Sequence, residues 1–183
     1  MLLHSFIFTP PPTATLSYFV IKPLQIDTTS NTTPVYEFPF TLQGQRVTMV
    51  FTSVSGHLKN IDFAQHLPWD STPPDLLLRP ALCPVLKQPS PDARQQDILR
   101  NLKTHAAGCA RLVLWLDCDR EGENIAFEVI DVWTTVKTTL PARTAVARAR
   151  FSTLVPEEIA RAVRDLARPN QLQSEAVDAR QEV

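Results

Sequence analysis

The sequence predicts an α/β fold with a mostly parallel central sheet flanked by helices, plus the start of a helical domain. The run Arg111-Leu112-Val113-Leu114-Trp115-Leu116 is apolar after its first residue, which suits a strand covered on both faces in the middle of a parallel sheet. Apolar residues at helical spacing flank it: Ile98, Leu99, Leu102 and Ala106 before, and Ile125, Ala126, Val129, Ile130 and Trp133 after. Residues 146–151 then return as a parallel strand, so that strand, acidic turn, helix and strand form one βαβ unit.

In chain order, residues 1–34 predict an irregular or partly disordered leader, because they hold Pro10-Pro11-Pro12 and the polar run Asp27-Thr28-Thr29-Ser30-Asn31-Thr32-Thr33. Only residues 16–21 suggest an element there. From Tyr36 the pattern tightens. Arg46-Val47-Thr48-Met49-Val50-Phe51-Thr52-Ser53-Val54 is β-branched and apolar, and Gly44 supplies a turn before it, which predicts a hairpin entering a buried strand. The proline-rich stretch 68–91 reads as a surface connection. Residues 92–107 form an amphipathic helix capped by Asp92 and closed by Gly108, and the next helix starts near Gly122. Pro156 opens a further helix, with Glu157 and Glu158 at the positive end of its dipole, and a last helix occupies residues 173–183. The expected domains are thus 35–155 and the beginning of a helical domain over 156–183.

Composition excludes several classes. The chain has 183 residues, 44% of them hydrophobic and 20% charged, an ordinary globular balance that signals neither disorder nor a coiled coil. A net charge of −1 argues against a dedicated basic module that coats nucleic acid. Cys83, Cys109 and Cys118 show no CxxC spacing, so neither a disulfide framework nor a zinc site is supported, and Cys118 reads as core filler. No apolar run reaches the roughly 18 residues that cross a bilayer, and residues 1–8 lack a secretory basic flank. The expectation is a soluble intracellular protein with no membrane partner.

The strongest chemical signal is Asp117-Cys118-Asp119-Arg120-Glu121-Gly122-Glu123-Asn124. In extended backbone Asp117 and Asp119 share a face, and Glu121 can curl toward them as the helix begins. Such carboxylates repel unless a divalent cation neutralises them, and Mg²⁺ suits hard oxygen donors. An arbitrary DxDxE is more often a solvated loop. Its place at the carboxyl end of the most apolar strand favours a ligand site instead. Arg120 is a candidate phosphate contact within the turn. Arg148 and Arg150 alternate on one face of the returning strand and are candidates to track a nucleic-acid backbone. Arg161, Arg164 and Arg168 share helical spacing but read as solvated arginines.

The stretch Leu114-Trp115-Leu116-Asp117-Cys118-Asp119-Arg120-Glu121-Gly122-Glu123-Asn124-Ile125 resembles the acidic Toprim motif of type IA DNA topoisomerases, particularly the eukaryotic topoisomerase III subgroup. Thr52-Ser53-Val54-Ser55-Gly56-His57-Leu58 resembles that family's SxGHL element, and Arg148-Ala149-Arg150-Phe151-Ser152 its RARFS strand. Asp178-Ala179-Arg180-Gln181-Glu182 is similar to the start of the family's next domain, so the resemblance covers residues 34–183.

The resemblance implies a Toprim-like, Rossmannoid domain that binds Mg²⁺ through Asp117, Asp119 and Glu121. Gly56 would permit close backbone approach, and His57 would lie near the DNA. The family cuts one DNA strand through a tyrosyl phosphate, passes another strand through the gap, and reseals it, relaxing negative supercoils. The resemblance also implies single-stranded DNA regions as substrate, RecQ-type helicase partners and a nuclear location.

The chain departs from the family at two places. Ile21-Lys22-Pro23-Leu24 carries isoleucine where the family has a glutamate that acts as general acid or base, and isoleucine cannot transfer a proton. The tyrosines, Tyr18 and Tyr36, both precede the acidic motif, whereas the family's nucleophile lies in a later domain. The expected protein is therefore a truncated topoisomerase III-like polypeptide. The alternative is a non-catalytic Toprim module that binds DNA or a partner. A stand-alone Toprim nuclease or primase-like protein would share the acidic turn but has no reason to carry the other motifs.

Overall fold

Alternation within the apolar run decides the architecture. In the computed structural model, which describes residues 3–8, 24–27, 33–68, 70–137, 145–153 and 155–181, Leu112, Leu114 and Leu116 face one core and Val113 and Trp115 the other. The chain runs β1 (Leu3–Phe8), β2 (Leu24–Asp27), β3 (Val35–Leu42), β4 (Gln45–Thr52), β5 (Lys59–Phe63), α1 (Pro74–Leu77), β6 (Val85–Pro89), α2 (Ala93–Ala106), β7 (Arg111–Leu114), α3 (Arg120–Thr135), β8 (Val146–Arg148), α4 (Pro156–Arg164) and α5 (Gln171–Gln181).

A six-stranded sheet has the order β2-β3-β4-β1-β7-β8, and β5 pairs with β6 in a separate two-stranded ribbon. Strands β4, β1, β7 and β8 are mutually parallel, while β2, β3 and β4 form an antiparallel flank. This is the mostly parallel sheet with flanking helices that the sequence predicts. The predicted hairpin is β3–β4, with Leu42 opposite Gln45 across the turn.

Two expectations are corrected. The leader was expected to be irregular, yet β1 is a central strand, paired with β4 on one side and β7 on the other, and β2 extends the antiparallel flank. The pattern of Leu3-His4-Ser5-Phe6-Ile7-Phe8 is short and followed at once by prolines, and tertiary pairing overrides that local signal. The suggested element at residues 16–21 lies outside the described residues. The 68–91 stretch was expected to be only a surface connection, but it also carries a strand, β6, which pairs with β5 from Lys59 opposite Pro89 to Phe63 opposite Val85.

Each face of the sheet has its own core. Ile98, Leu99, Leu102 and Ala106 from α2 and Ala126, Val129, Val132 and Trp133 from α3 cover one face, with Val50 and Leu112 beneath them. On the other face, Ile159, Ala162 and Val163 of α4 meet Phe38, Met49, Phe51, Val113 and Trp115. The expected boundary at Pro156 therefore falls inside a shared core, since the apolar stripe of α4 has the sheet to cover.

Helix ends are satisfied locally. Asp92 accepts from the backbone N–H groups of Arg94 and Gln95 at the start of α2. At its other end, the Lys137 ammonium donates to the carbonyls of Ala106, Ala107 and Cys109. Burial beside that cap pushes the Cys109 thiol up to about 12, so it stays protonated and donates to the His105 carbonyl. No helix among the described residues is long and apolar enough to cross a membrane.

Leu112 is fully buried, whereas Leu86 is about half exposed on β6. Leu112→Ala is expected to lower stability by about 2–5 kcal/mol, and Leu86→Ala by about 0.5 kcal/mol or less, both read from urea denaturation.

Candidate functional site

Register places the motifs together. Phe8 of β1 pairs with Thr52 of β4 on one side and Leu114 of β7 on the other, so the segments leaving β4 and β7 emerge at the same sheet edge. One carries Ser53 to Leu58 and the other Trp115 to Asp119. Asp117, Asp119 and Glu121 line one pocket of about 190 Å³, whose remaining wall includes Val54, Gly56, Leu116 and Ile125. Sequence reasoning brings these acids together, and the fold does so too.

The shape of the acidic turn has three causes. Asp119 caps α3, its carboxylate accepting from the Gly122 N–H at 2.6 Å. Gly122 is needed because a Cβ there would lie 2.1 Å from the Asp117 carbonyl oxygen. That neighbour is backbone, which cannot swing aside. Beneath the turn sits Arg148, fully buried. Its guanidinium donates to the carbonyls of Asp117 (2.7 Å), Leu116 (2.9 Å) and Ala149 (2.9 Å), and its Nε donates to Glu123 at 3.2 Å.

Arg148 is therefore corrected from the expected DNA contact to a clamp on the turn. The reading from alternation placed it with Arg150 on one face. In the structure β8 is an edge strand, and Ala167 bridges it through reciprocal backbone bonds at 2.8 Å, so Arg148 is enclosed. Arg150 is half exposed at the rim, with Nη2 3.6 Å from Glu123. Arg120 is exposed on the first turn of α3.

Cys118 is also corrected. Expected in the core, it is exposed, with its sulfur accepting from the Phe151 N–H at 3.1 Å. Strand β7 ends at Leu114, so strict alternation does not carry through to position 118.

Gly56 has φ +73° with open space around its missing side chain. The left-handed backbone that turns the loop favours glycine at this position, which also lines the pocket. The neighbouring His57 points between two carboxylates: Nδ1 is 3.2 Å from Glu128 and Nε2 is 3.3 Å from Glu121. Hydrogen bonding to Glu128 outweighs partial burial and, with help from Glu121, raises the His57 pKa above its ordinary value.

Sequence reasoning missed the buried polar network behind this histidine. Glu128 is 1% exposed; it accepts from the Leu58 N–H at 2.7 Å and pairs with Lys87 at 3.0 Å. Burial alone would push the Glu128 carboxyl up, but His57 and Lys87 prevail and hold it below the usual range. Lys87 also donates to Asn124 at 2.9 Å and to Asp178 at 2.7 Å. Asn124 in turn donates to the Ser174 carbonyl at 2.9 Å, which fixes α5 on α3. Glu128 and Lys87 lie at sequence positions that read as solvated charges, so periodicity carries no signal for them.

The acids fit a hydrated divalent cation rather than a closed protein cage. Among the described residues no three His, Cys, Asp or Glu side chains form a ready-made ligand set. Mg²⁺ does not need one, because it keeps several waters and binds through one or two carboxylates plus phosphate. Asp117 and Asp119 are exposed on the pocket, whereas Glu121 is held by His57 and Arg180.

Gly122→Ala is expected to cost about 3 kcal/mol from the backbone clash, while Gly56→Ala costs about 1–2 kcal/mol through its left-handed φ alone. Thermal unfolding of the two variants separates them. Because the Glu128 pKa is depressed, its stabilisation is present above the ordinary carboxylate value of 4.5 and is lost as pH falls through the folded value. Glu128→Gln should lower stability at neutral pH by about 3 kcal/mol and flatten the acid limb of a stability profile measured below pH 4.5.

Comparison with known proteins identifies the family. Residues 30–154 match the Toprim domain family. The chain is 47% identical over 150 residues to DNA topoisomerase 3-alpha of Arabidopsis thaliana, covering 81% of this chain and 15% of that protein. It is 44% identical over 153 residues to human DNA topoisomerase 3-alpha, covering 81% and 14%. DNA topoisomerase 3-beta of Arabidopsis thaliana is 40% identical over 161 residues, covering 87% and 18%. The chain thus spans about 15% of the length of these relatives. Its fold is similar to that of full-length topoisomerase I from Thermotoga maritima, with TM-score 0.51 and 19% identity over 97% of this chain and 23% of that one. The chain belongs to the Toprim domain family, in the form that makes up the N-terminal region of type IA, topoisomerase III-like proteins.

Proposed function

We propose that this chain is the cation- and phosphate-binding region of a type IA topoisomerase, with Asp117, Asp119 and Glu121 as Mg²⁺ ligands. The observation that carries the reading is their shared pocket at the carboxyl edge of the parallel strands, above a turn that Gly122 and Arg148 hold in one conformation. When bound there, Mg²⁺ supplies positive charge that anchors a phosphodiester and offsets charge developing on it.

The chain's own residues do the rest. Arg148 and the Asp119 cap orient the turn, and Gly56 shapes the facing loop so that His57 reaches Glu121. Arg120 and Arg150, exposed at the rim, are the residues proposed to meet the DNA backbone. Single-stranded DNA is the proposed partner, with a RecQ-type helicase and a nuclear location following from kinship to topoisomerase III.

Strand cleavage needs a nucleophile. Tyr36 lies on β3 and packs against the second core, and Tyr18 lies outside the described residues. The chain on its own therefore binds DNA phosphate without cutting it, and relaxation of negative supercoils is the proposed activity of the whole enzyme. This gives the non-catalytic reading a specific support.

Calorimetric titration with MgCl₂ should show binding that Asp117→Asn combined with Asp119→Asn abolishes. An absence of heat both for the native chain and for Arg180→Gln, which frees Glu121 of its ion pair, sinks the metal assignment. Anisotropy with labelled single-stranded DNA should show tighter binding with Mg²⁺. Arg120→Gln and Arg150→Gln should each reduce the salt slope of log K by about 0.7. A relaxed plasmid ladder, or degraded linear DNA, would contradict the proposed division of labour.

A further inference from the structure

Glu121 differs from Asp117 and Asp119 because both its oxygens already have side-chain partners from its own chain. Oε2 faces His57 Nε2 at 3.3 Å, and Oε1 accepts from an Arg180 guanidinium nitrogen. No ion pair among the described residues reaches Asp117 or Asp119.

Arg180 comes from α5, 59 residues along the chain from Glu121. Helix α5 does not depend on that contact for its position. Val177 is buried beneath it, Asp178 pairs with Lys87 at 2.7 Å, and Asn124 donates to the Ser174 carbonyl. The Arg180 side chain, by contrast, is two-thirds exposed. An exposed ion pair on an independently fixed helix can open without undocking the helix.

A guanidinium on Oε1 uses the lone pairs that a cation would need, and its charge repels the cation. We propose that Arg180 is an internal counter-ion that occupies Glu121 until a divalent cation displaces it. The inference rests on the reading of Asp117, Asp119 and Glu121 as cation ligands. Arg180 thereby sets the cation affinity of the turn and makes it sensitive to the position of α5. Linkage is reciprocal, so the factor by which Arg180 weakens the cation is the factor by which the cation weakens Arg180.

The test is calorimetric titration of the full chain with MgCl₂, comparing native protein, Arg180→Gln, Arg180→Lys and Arg79→Gln. Arg79 pairs with Asp75 on α1, outside the site, and controls for the loss of one positive charge. Arg180→Gln should bind Mg²⁺ about two- to fivefold more tightly, the range an exposed pair supports, with Arg180→Lys between and Arg79→Gln unchanged. The Arg180 side-chain Nε resonance should also shift as Mg²⁺ is added to native protein. Equal affinity in Arg180→Gln, equal tightening in Arg79→Gln, or an unmoved resonance overturns the inference while leaving the metal assignment intact. Binding by Arg180→Gln where native protein shows none supports it. No binding by either protein removes the metal assignment and this inference together.

Discussion

The guanidinium of Arg148 is the constraint on which the site depends. Beyond Leu114 the carbonyls of Leu116 and Asp117 leave the strand ladder, and backbone oxygens turned toward a protein interior need donors. Arg148 meets that need with a planar fork, and Glu123 balances its charge from the first turn of α3. A lysine would carry the charge without the fork. Removing either partner would leave a charge uncompensated, a loss of about 3–5 kcal/mol. Strand β8, the acidic turn and α3 are thereby joined at one atom group, and the turn above it has little freedom to splay.

A second network performs the same task between more distant segments. Glu128 links the loop after β4 to ribbon β5–β6 through Leu58 N–H, His57 and Lys87, and Lys87 continues the chain of contacts to Asp178 on α5. The bonds from Glu128 to Leu58 and His57, and from Lys87 to Asp178, each join residues 70 or more positions apart. The loop bearing Gly56 and His57 is thus held directly by α3, which the ribbon and the last helix brace through Lys87. The geometry around the acidic turn thus depends on contacts from well outside the local βαβ unit.

Much of this was legible in the sequence wherever a side chain's environment follows from its period. The run at 112–116 alternates between two cores as its unbroken apolar character requires, Asp92 caps α2, and the acids of the DxDxE turn share a pocket. Legibility fails where partners come from elsewhere in the chain. Arg148 and Arg150 look alike in sequence, but a backbone bridge from Ala167 encloses the first and leaves the second at the rim. β1 is central because β4 and β7 pair with it, not because of its own six residues. Cys118 fell on the wrong side because the strand geometry assumed for it stops at Leu114.

The carboxylates of α3 and its cap then divide by what surrounds them. Glu123 and Glu128 are buried, and every contact they make is to a cation or an N–H of this chain, so their charge is spent in holding the fold. Asp117 and Asp119 are exposed at the pocket and reach no cation of this chain among the described residues, although Asp119 also caps α3. Glu121 stands between these classes, on the pocket but engaged by His57 and Arg180. A site composed only of the first class would be rigid and inert; one composed only of the second would be reactive and self-repelling. Placing both on one helix lets the buried acids fix the geometry that the exposed acids need, and the intermediate one can couple them.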